Sequence, residues 1–415
     1  MTKLKPLNWN NALLTQNPFS TTPPTRPEEA VWAGFDKLKT QLDNLLTRAH
    51  TTNATQVVLN RGEYGSGKTH AAFFYRKQDA LPLPKRSIPH VKDSVVIYVK
   101  TPRQPELADE YFYQSVIEGM RFRRIRDKVK DMVTTHGEDP ALEFLQDATE
   151  SEDLGKAIWL LGFEKEQSGR LTLFDDTESF DDTESDDWQR LLRSYFFSKA
   201  TSGDLKKLGL GRGVKGTQDR FRVLGGLIQC FIGSNGTEDI RSHSRVILWI
   251  DELEDLIYYS TKYYRPFTQG LRELIDRLPN YFSMLMNFTL ASPEALEDVE
   301  TVLGRALLDR VTDEIYFREP TEGESFDYVR DLLQHYRTED FSKKGVPAIY
   351  PFEEKALSTL IANLPNRTPR DINLQCAYVI QQALQTGIIS GVGKGSIKVD
   401  FINELERSRV EDDMQ

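Results

Sequence analysis

The octapeptide at positions 62–69, Gly-Glu-Tyr-Gly-Ser-Gly-Lys-Thr, constrains the fold of this chain more than any other stretch. It follows a short apolar run and fits the pattern of a phosphate-binding loop (P-loop), in which glycines let backbone N–H groups turn inward around phosphate oxygens. Lys68 would bring positive charge to the outer phosphates, and the Thr69 hydroxyl could ligate Mg²⁺. Residues 70–77 are predicted to form a helix whose positive N-terminal end faces the anion.

The loop therefore predicts a site for ATP or GTP, with Mg²⁺ as the metal. Nucleotide contacts are expected from Gly62, Glu63, Tyr64, Gly65, Ser66, Gly67, Lys68, Thr69 and His70. A glycine-rich turn that fits the pattern by accident is the alternative, but the position between an apolar run and a helix argues against it.

A second motif is the apolar run at 245–250, which is followed by the acids Asp251 and Glu252. Such runs are typical of parallel strands buried on both faces, and ligand sites lie at the carboxyl ends of these strands. We expect Asp251 to hold the Mg²⁺ that bridges the phosphates and Glu252 to act as the general base toward the attacking water. The acidic pair favours ATP hydrolysis over binding alone.

Composition narrows the class of protein. The 415 residues suffice for one large or two to three ordinary domains, and 39% hydrophobic residues suffice for a packed core. No apolar run approaches the ~20 residues that cross a bilayer. The N-terminus lacks the apolar segment of a secretory signal peptide, so a cytoplasmic location is expected. Cys230 and Cys376 lie far apart and are expected to pack as small apolar side chains. The net charge of −10 includes eight acids at 175–187, so nucleic acid is not excluded as a partner.

The order of patterns predicts an α/β protein with a long addition. Residues 1–27 indicate an extended lead-in, a helix is expected over 28–48, and the run at 94–99 predicts a second buried strand. Residues 103–243 are predicted to form a large, mostly helical insertion, with helices over 107–133, 140–161 and 188–198. The acidic repeat at 175–187 predicts a solvated loop that is either a linker or a docking segment for a basic partner.

The two motifs and their order resemble the AAA+ P-loop ATPases, over about 17–100 and 245–390. The resemblance implies an α/β P-loop fold with a parallel central sheet at 28–318 and a small C-terminal helical lid at 319–390. It implies ATP bound between the subunits of a ring or filament. Lid helices are expected over 324–336, 351–364 and 369–386, and 391–415 is expected to be a charged tail.

The same resemblance implies further site residues. The strand at 283–292 lies where AAA+ proteins place a polar sensor residue, which Ser292 or Thr289 would supply. Arg305 or Arg310 would be offered to the ATP of a neighbouring subunit, and a surface salt bridge is the alternative for either one. Arg370, at the start of a lid helix, would reach the γ-phosphate.

Within the AAA+ class, three short stretches resemble origin-recognition-type ATPases: Asn-Pro-Phe at 17–19, Asp-Glu-Leu-Glu-Asp-Leu at 251–256 and Pro-Arg-Asp at 369–371. The P-loop octapeptide also resembles ATPases of bacterial anti-phage and transposon-targeting systems. Origin-recognition proteins usually continue into a winged-helix DNA-binding domain, and the residues after the predicted lid are too few for one. DNA contacts are therefore expected from the ATPase body.

Two stretches are candidates for DNA contact. A basic, glycine-rich stretch at 206–222 includes Arg212 and Lys215 and is predicted to be a flexible loop that contacts phosphates or is an ordinary loop. Aromatic and basic residues alternate at 258–265, where tyrosines could stack on bases while Lys262 and Arg265 meet phosphates. The alternative for the second stretch is a helix that buries its tyrosines in the core.

The leading functional hypothesis is an oligomeric, ATP-driven switch that acts on DNA or on a DNA-bound protein complex, in a bacterial anti-phage or mobile-element system. The alternative is a signal-transducing P-loop ATPase scaffold that docks a protein partner on its insertion and does not bind DNA. Protein remodelling by threading is a third reading, and no aromatic-hydrophobic pore loop supports it.

Overall fold

The computed structural model describes residues 7–80, 94–165, 171–173, 187–232, 245–292 and 296–413. The predicted acidic loop at 175–187 lies outside these residues, except for Asp187. The chain divides into two compact units, the first made of Met1–Leu42, Gly62–Lys77 and Tyr316–Gln415, and the second of Asp43–Arg61 and Gln78–Ile315. This division differs from the expected boundary between 318 and 319, because the P-loop segment groups with the C-terminal helices.

A five-stranded parallel sheet is the core of the α/β fold. Its strands are β1 (Gln56–Gly62), β2 (Ser94–Lys100), β5 (Arg245–Asp251), β6 (Phe282–Thr289) and β7 (Asp313–Phe317), in the order β2-β5-β6-β1-β7. Strand β5 pairs in parallel with β2 on one side and with β6 on the other. Every residue of β5 is buried, as expected for a strand covered on both faces. The predicted fold class, a P-loop α/β fold with a parallel sheet, is confirmed.

The helices that flank β1 differ from the prediction at one end. Helix α1 spans Asp36–Thr52 and begins later than the predicted helix over 28–48. Gly34 and Phe35 precede it with φ of 54° and 51°, values that an α-helix cannot accommodate. A Cβ on Gly34 would lie 2.8 Å from the Cα of Tyr328, so the close backbone contact there requires glycine. Helix α2 spans Lys68–Ala80 and includes the predicted helix over 70–77.

The segment between β2 and β5 is mostly helical, as predicted. It holds α3 (Ala108–Met120), α4 (Phe122–His136), α5 (Glu138–Thr149), α6 (Glu152–Trp159), α7 (Asp187–Phe196), α8 (Ser202–Leu208) and α9 (Gly216–Ile232), with a short antiparallel pair of β3 (Phe163–Lys165) and β4 (Leu171–Leu173). The helices predicted over 107–133 and 140–161 are each interrupted, at Arg121 and at Glu150. Both residues have positive φ, 63° and 48°, which ends one helix before the next begins. Ser151 then caps α6, because its side chain accepts a hydrogen bond from the Leu154 N–H.

The prediction of a flexible basic loop over 206–222 is wrong for most of its length. Helix α8 includes Lys206 and Lys207, α9 begins at Gly216, and only 209–215 connects them. The arginines of α9 form ion pairs: Arg220 lies 2.7 Å from Asp109 and 2.6 Å from Glu110. These pairs join α9 to α3, so the stretch is part of the folded body.

The C-terminal helices form a separate apolar cluster in the first unit. They are α13 (Glu322–His335), α14 (Phe341–Lys344), α15 (Glu354–Ala362), α16 (Pro369–Gln385) and α17 (Val399–Asp413). The expected tail at 391–415 thus contains a helix, and its Phe401 and Ile402 are buried in this cluster. Leu14 and Phe19 of the expected lead-in are buried in the same cluster. Both ends pack here because their apolar side chains lose water-exposed surface.

The remaining helices follow the acidic strand. They are α10 (Thr261–Arg277), α11 (Leu296–Leu303) and α12 (Arg305–Leu308). Cys230 and Cys376 are both buried free thiols, and burial raises the pKa of Cys230 to about 12. Over the described ranges, we find no helix with the length and apolar character needed to span a membrane.

Candidate functional site

The P-loop folds in the way its glycines predict. Gly65 and Gly67 have φ of 80° and 97°, a region that side chains with a Cβ rarely enter. A Cβ on Gly65 would lie 3.0 Å both from the Cβ of Arg370 and from the hydroxyl of Thr368. The start of α16 therefore packs directly on the loop, and only glycine leaves room for this contact.

Lys68 points into the loop that precedes it. Its Nζ donates hydrogen bonds to the carbonyl oxygens of Gly62 (2.8 Å) and Glu63 (3.0 Å) and to the Ser66 hydroxyl (3.2 Å). The side chain is buried, so its charge is weakly screened by water. An anion that enters this loop meets a positioned ammonium group.

Two helix N-termini meet at the P-loop within the first unit. Helix α2 begins at Lys68, and α16 begins at Pro369 with Thr368 as its N-cap, whose hydroxyl accepts from the Asp371 N–H. Helix N-termini carry partial positive charge and free N–H groups, which suit phosphate. The Arg370 guanidinium lies 4.8 Å from the centre of the Tyr64 ring, and Tyr64 is 69% exposed.

His70 contacts a different part of the first unit. Its Nε2 lies 2.7 Å from the carbonyl oxygen of Val31, so this nitrogen is the donor. Burial lowers the pKa of His70, which favours a neutral ring at pH 7. Lys77, two turns along the same helix, donates to the carbonyl of Ala30 at 3.2 Å. The His70 side chain therefore anchors the segment before α1, and its predicted nucleotide contact stays a prediction.

The acidic centre lies in the second unit, at the end of β5. Asp251 is buried, and both of its carboxylate oxygens accept hydrogen bonds: Oδ2 from the Tyr98 hydroxyl at 2.7 Å and Oδ1 from the Asn287 side-chain amide at 2.9 Å. These contacts come from the strands on either side, β2 and β6. The carboxylate is therefore fixed in orientation by its two neighbours.

Asn287 extends this network to the P-loop strand. Its Oδ1 accepts hydrogen bonds from the Asn60 amide at 3.0 Å and from the Trp249 indole at 2.8 Å. The chain Tyr98–Asp251–Asn287–Asn60, which we call the strand relay, crosses β2, β5, β6 and β1 in sheet order. Sequence reasoning missed Asn287, Tyr98 and Asn60. The sequence did contain a signal for the two asparagines: each stands alone inside an apolar strand, Asn60 in β1 and Asn287 in β6. A buried side-chain amide requires a hydrogen-bond partner, which predicts a polar contact at each position.

The predicted sensor residues, Thr289 and Ser292, follow Asn287 in the sequence. Thr289 is the last residue of β6, and its backbone N–H donates to Glu254 at 2.9 Å. Ser292 follows the strand. Asn287, also in β6, donates to Asp251, and the sensor roles of Thr289 and Ser292 stay predictions.

Glu252 is the next residue, and its backbone leaves the strand in a left-handed conformation with φ of 62°. Its Oε1 lies 2.6 Å from the Nζ of Lys100, which ends β2. Its Oε2 is buried and has no hydrogen-bond partner within the part of the chain that the structure describes. Burial raises the pKa of the nearby Asp255, and the charge of Glu252 adds to this rise. Glu252 thus combines one oxygen paired with Lys100 and one buried oxygen that receives no hydrogen bond from the described residues.

The two candidate arginines differ in their surroundings. Arg310 forms a two-point ion pair with Asp276, at 3.0 and 3.2 Å, which matches the salt-bridge alternative. Arg305 is exposed at the first position of α12, and its side chain makes no hydrogen bond or ion pair with the described residues. Of the two, Arg305 is available to a partner.

The candidate residues for DNA contact also differ in whether their side chains are paired or exposed. Arg212 is paired with Asp219 and bonds the Ser151 hydroxyl, so its charge is used inside the insertion. Lys215 is exposed beside it. Lys262 and Arg265 lie in the first turn and a half of α10, and both are exposed.

The donor set fits the groups that the motifs imply. A glycine cradle that a Cβ would fill, a buried ammonium and two helix N-termini suit a polyphosphate. Hydroxyl and carboxylate oxygens, such as those of Thr69 and Asp251, are the ligands that Mg²⁺ prefers. Among the described residues, no three His, Cys, Asp or Glu side chains cluster as an all-protein metal site.

Comparison with known proteins gives remote likenesses. No family model matches the chain, and no curated protein matches it. Among solved structures, it is similar to the Orc1 protein of Aeropyrum pernix in complex with DNA, with a TM-score of 0.42 and 12% identity over 97% of this chain and 71% of that one. It is also similar to the Walker-type ATPase Paby2304 of Pyrococcus abyssi, with a TM-score of 0.40 and 13% identity over 95% and 80% of the two chains. Functional assignments for this chain therefore rest on its own residues.

Proposed function

We propose that this chain is an AAA+ ATPase that binds and hydrolyses ATP. The observation that carries the proposal is the convergence of Lys68, the N-termini of α2 and α16, and Arg370 on one glycine loop. Several sources of positive potential in one place suit a polyphosphate, because its charge exceeds that of a carboxylate. In this proposal, Thr69 and Asp251 would hold Mg²⁺, and a bound Mg²⁺ would neutralise charge on the phosphates.

Glu252 is the proposed general base. Its position directly after the metal-binding acid, and its one unpartnered oxygen, support this role. It would take a proton from the attacking water, while Lys68 and Arg370 would neutralise charge that develops on the transferred phosphoryl group. The strand relay holds Asp251 in place for this step.

The proposed assembly is a homo-oligomer, as a ring or filament, in which each subunit offers an arginine to its neighbour's ATP. Arg305 is the better candidate because it is exposed and Arg310 is paired with Asp276. We further propose that the assembly is a cytoplasmic, nucleotide-dependent switch on DNA or on DNA-bound protein complexes, in a bacterial anti-phage or mobile-element system. A protein partner would dock on the helical insertion, α3–α9.

One observation favours a second candidate function. The Lys100–Glu252 ion pair engages the proposed base, which suits a protein that holds ATP and turns it over slowly. A signal-transducing scaffold of this kind would bind a protein partner through α3–α9 and would not need DNA.

The test measures ATP hydrolysis and particle mass together, without nucleotide, with ADP and with a non-hydrolysable ATP analogue, each with and without DNA. The switch predicts an ATP-dependent oligomer whose hydrolysis is stimulated by DNA, and the stimulation should fall as salt rises. Binding of ATP with slow hydrolysis and no response to DNA would favour the scaffold. Absence of ATP binding by the full chain would overturn both.

A further inference from the structure

A cavity of about 440 Å³ opens in the second unit between α10 and the segment that joins α11 to α12. Its floor is closed by Tyr264, whose hydroxyl donates to the carbonyl of Thr301 at 3.3 Å. The lining residues are Thr261, Tyr264, Arg265, Thr268, Gln269, Arg272, Thr301 and the run 302–307. We call this cavity the α10 groove.

The α10 groove is strongly cationic. Arg265, Arg272 and Arg305 line it, and none of its lining residues is acidic. Arg272 lies 3.6 Å from Asp276, but that carboxylate is closer to Arg310, at 3.0 Å. The side chains of Arg265 and Arg305 make no ion pair with the described residues. Three guanidinium groups that share at most one carboxylate leave a net positive charge, which favours binding of an anion.

The chemistry of the lining points to phosphate. Guanidinium groups bind phosphate oxygens in a two-point geometry, and hydroxyl and amide groups such as those of Thr261 and Gln269 add neutral donors. Arg265 and Arg272 are seven residues apart on one helix, so they lie on the same face about 10 Å apart. Two guanidinium groups at this separation can contact different phosphates of one strand.

Exposed aromatic side chains lie next to the groove. Tyr258 is 82% exposed and Tyr263 is 41% exposed, beside the first turn of α10. The Lys262 ammonium lies 4.6 Å from the centre of the Tyr263 ring. Exposed tyrosines next to basic side chains are typical of single-strand binding, because unpaired nucleobases can stack on the tyrosine rings.

We propose that the α10 groove binds the phosphodiester backbone of a single-stranded nucleic acid, with bases stacked on Tyr258 and Tyr263. This inference rests on the proposed DNA-linked function and gives it a location and a form of nucleic acid. Tyr258 ends the 3-10 helix Leu253–Tyr258, which starts directly after Glu252, so a strand bound here is one short helix away from the proposed base. Arg305 forms the far rim, and its proposed role toward a neighbouring subunit is kept separate by substituting only Arg265 and Arg272.

The test measures anisotropy of a labelled oligothymidylate, and of a duplex of equal length, bound to the full chain at several salt concentrations. The double variant Arg265→Gln/Arg272→Gln should weaken single-strand binding by about tenfold or more. It should also reduce the slope of log Kd against log salt by about 1.4, or ~0.7 per lost phosphate contact. Tyr258→Ala/Tyr263→Ala should weaken it by about tenfold with an unchanged slope. The matched control Lys343→Gln/Lys344→Gln removes two exposed charges from α14, outside both candidate stretches, and should bind like wild type.

A second measurement needs no variant: an oligonucleotide with iodouracil should crosslink to Tyr258 or Tyr263 of the wild-type chain. Wild-type binding by the arginine variant, crosslinks elsewhere or equal affinity for duplex would overturn the inference. So would an arginine variant that keeps nucleic-acid binding but loses nucleotide-dependent self-association, because the groove would then be a subunit contact. ATP binding and hydrolysis by wild type, measured without nucleic acid, show separately whether the proposed ATPase function stands.

Discussion

The P-loop and the acidic centre are built in opposite ways. Lys68 donates to three acceptors within six residues of it, in the same loop. Asp251 instead receives its hydrogen bonds from Tyr98, 153 residues earlier, and from Asn287, 36 residues later. The first region is a local turn, and the second is assembled by the order of strands in the sheet.

This difference has consequences for substitution. A local loop depends on its own glycines and lysine, so a change there acts directly on the ligand. An assembled centre distributes its geometry over several strands, so residues that touch no ligand can still control it. Substitutions in the two regions should therefore differ in which step they impair.

Lys68→Ala tests whether the local loop is the nucleotide site. We expect ATP binding to weaken by roughly 100-fold or more, because the phosphates lose a charged donor. Isothermal titration with ATP measures this, and Lys77→Ala, in the same helix, is the matched control that should bind like wild type. Full-strength binding by Lys68→Ala would show that the loop is not the site.

Glu252→Gln tests whether the acidic centre performs the chemistry. We expect kcat to fall by about 100-fold while ATP binding is retained, because the amide cannot accept the proton from water. Phosphate release measures the rate, and filter binding measures the affinity. Hydrolysis at the wild-type rate would mean that another residue is the base.

Tyr98→Phe tests whether the strand relay controls the metal-binding acid from a distance. We expect the Mg²⁺ concentration for half-maximal hydrolysis to rise by about tenfold, because Asp251 loses an orienting donor. ATP binding without Mg²⁺ should not change. Tyr111→Phe removes an exposed hydroxyl from α3 and serves as the control. An unchanged Mg²⁺ titration would remove Tyr98 from the site.

Lys100→Met tests whether the ion pair restrains Glu252. We expect kcat to rise by at most about fivefold, since a partly exposed pair contributes up to ~1 kcal/mol. Lys100→Arg keeps the charge and should turn over like wild type. A fall in kcat for the methionine variant would show that Lys100 assists the base.

Tyr64→Leu tests whether the contact between the Tyr64 ring and the Arg370 guanidinium positions Arg370. We expect the KM for ATP to rise about threefold, because Arg370 loses the ring that it stacks on, a contact that contributes ~0.5–1 kcal/mol at an exposed site. Tyr64→Phe keeps the ring and should restore the wild-type KM. Equal values for both variants would show that the stack does not position Arg370.

The same contrast explains what the sequence could predict. The P-loop conformation and the strand that ends in Asp251 follow contiguous patterns, and both were predicted. The strand relay was not, because the pairing of Asn60 with Asn287 is set by a strand order that periodicity does not contain. The helix breaks at Arg121 and Glu150 were missed because neither residue is a glycine or a proline. The packing of Phe19 and Phe401 into one cluster is also a tertiary property.

That last cluster has a consequence for how the protein is made. The P-loop segment Gly62–Lys77 belongs to a unit whose apolar cluster includes Phe401 and Ile402. About 320 residues must be synthesised in between, which takes roughly a quarter of a minute to one minute at 5–20 residues per second. During that interval the loop exists without the completed C-terminal apolar cluster. A ribosome-stalled chain that ends at residue 390 should therefore expose α13–α16 to protease, whereas one in which residue 413 has left the ribosome should protect them.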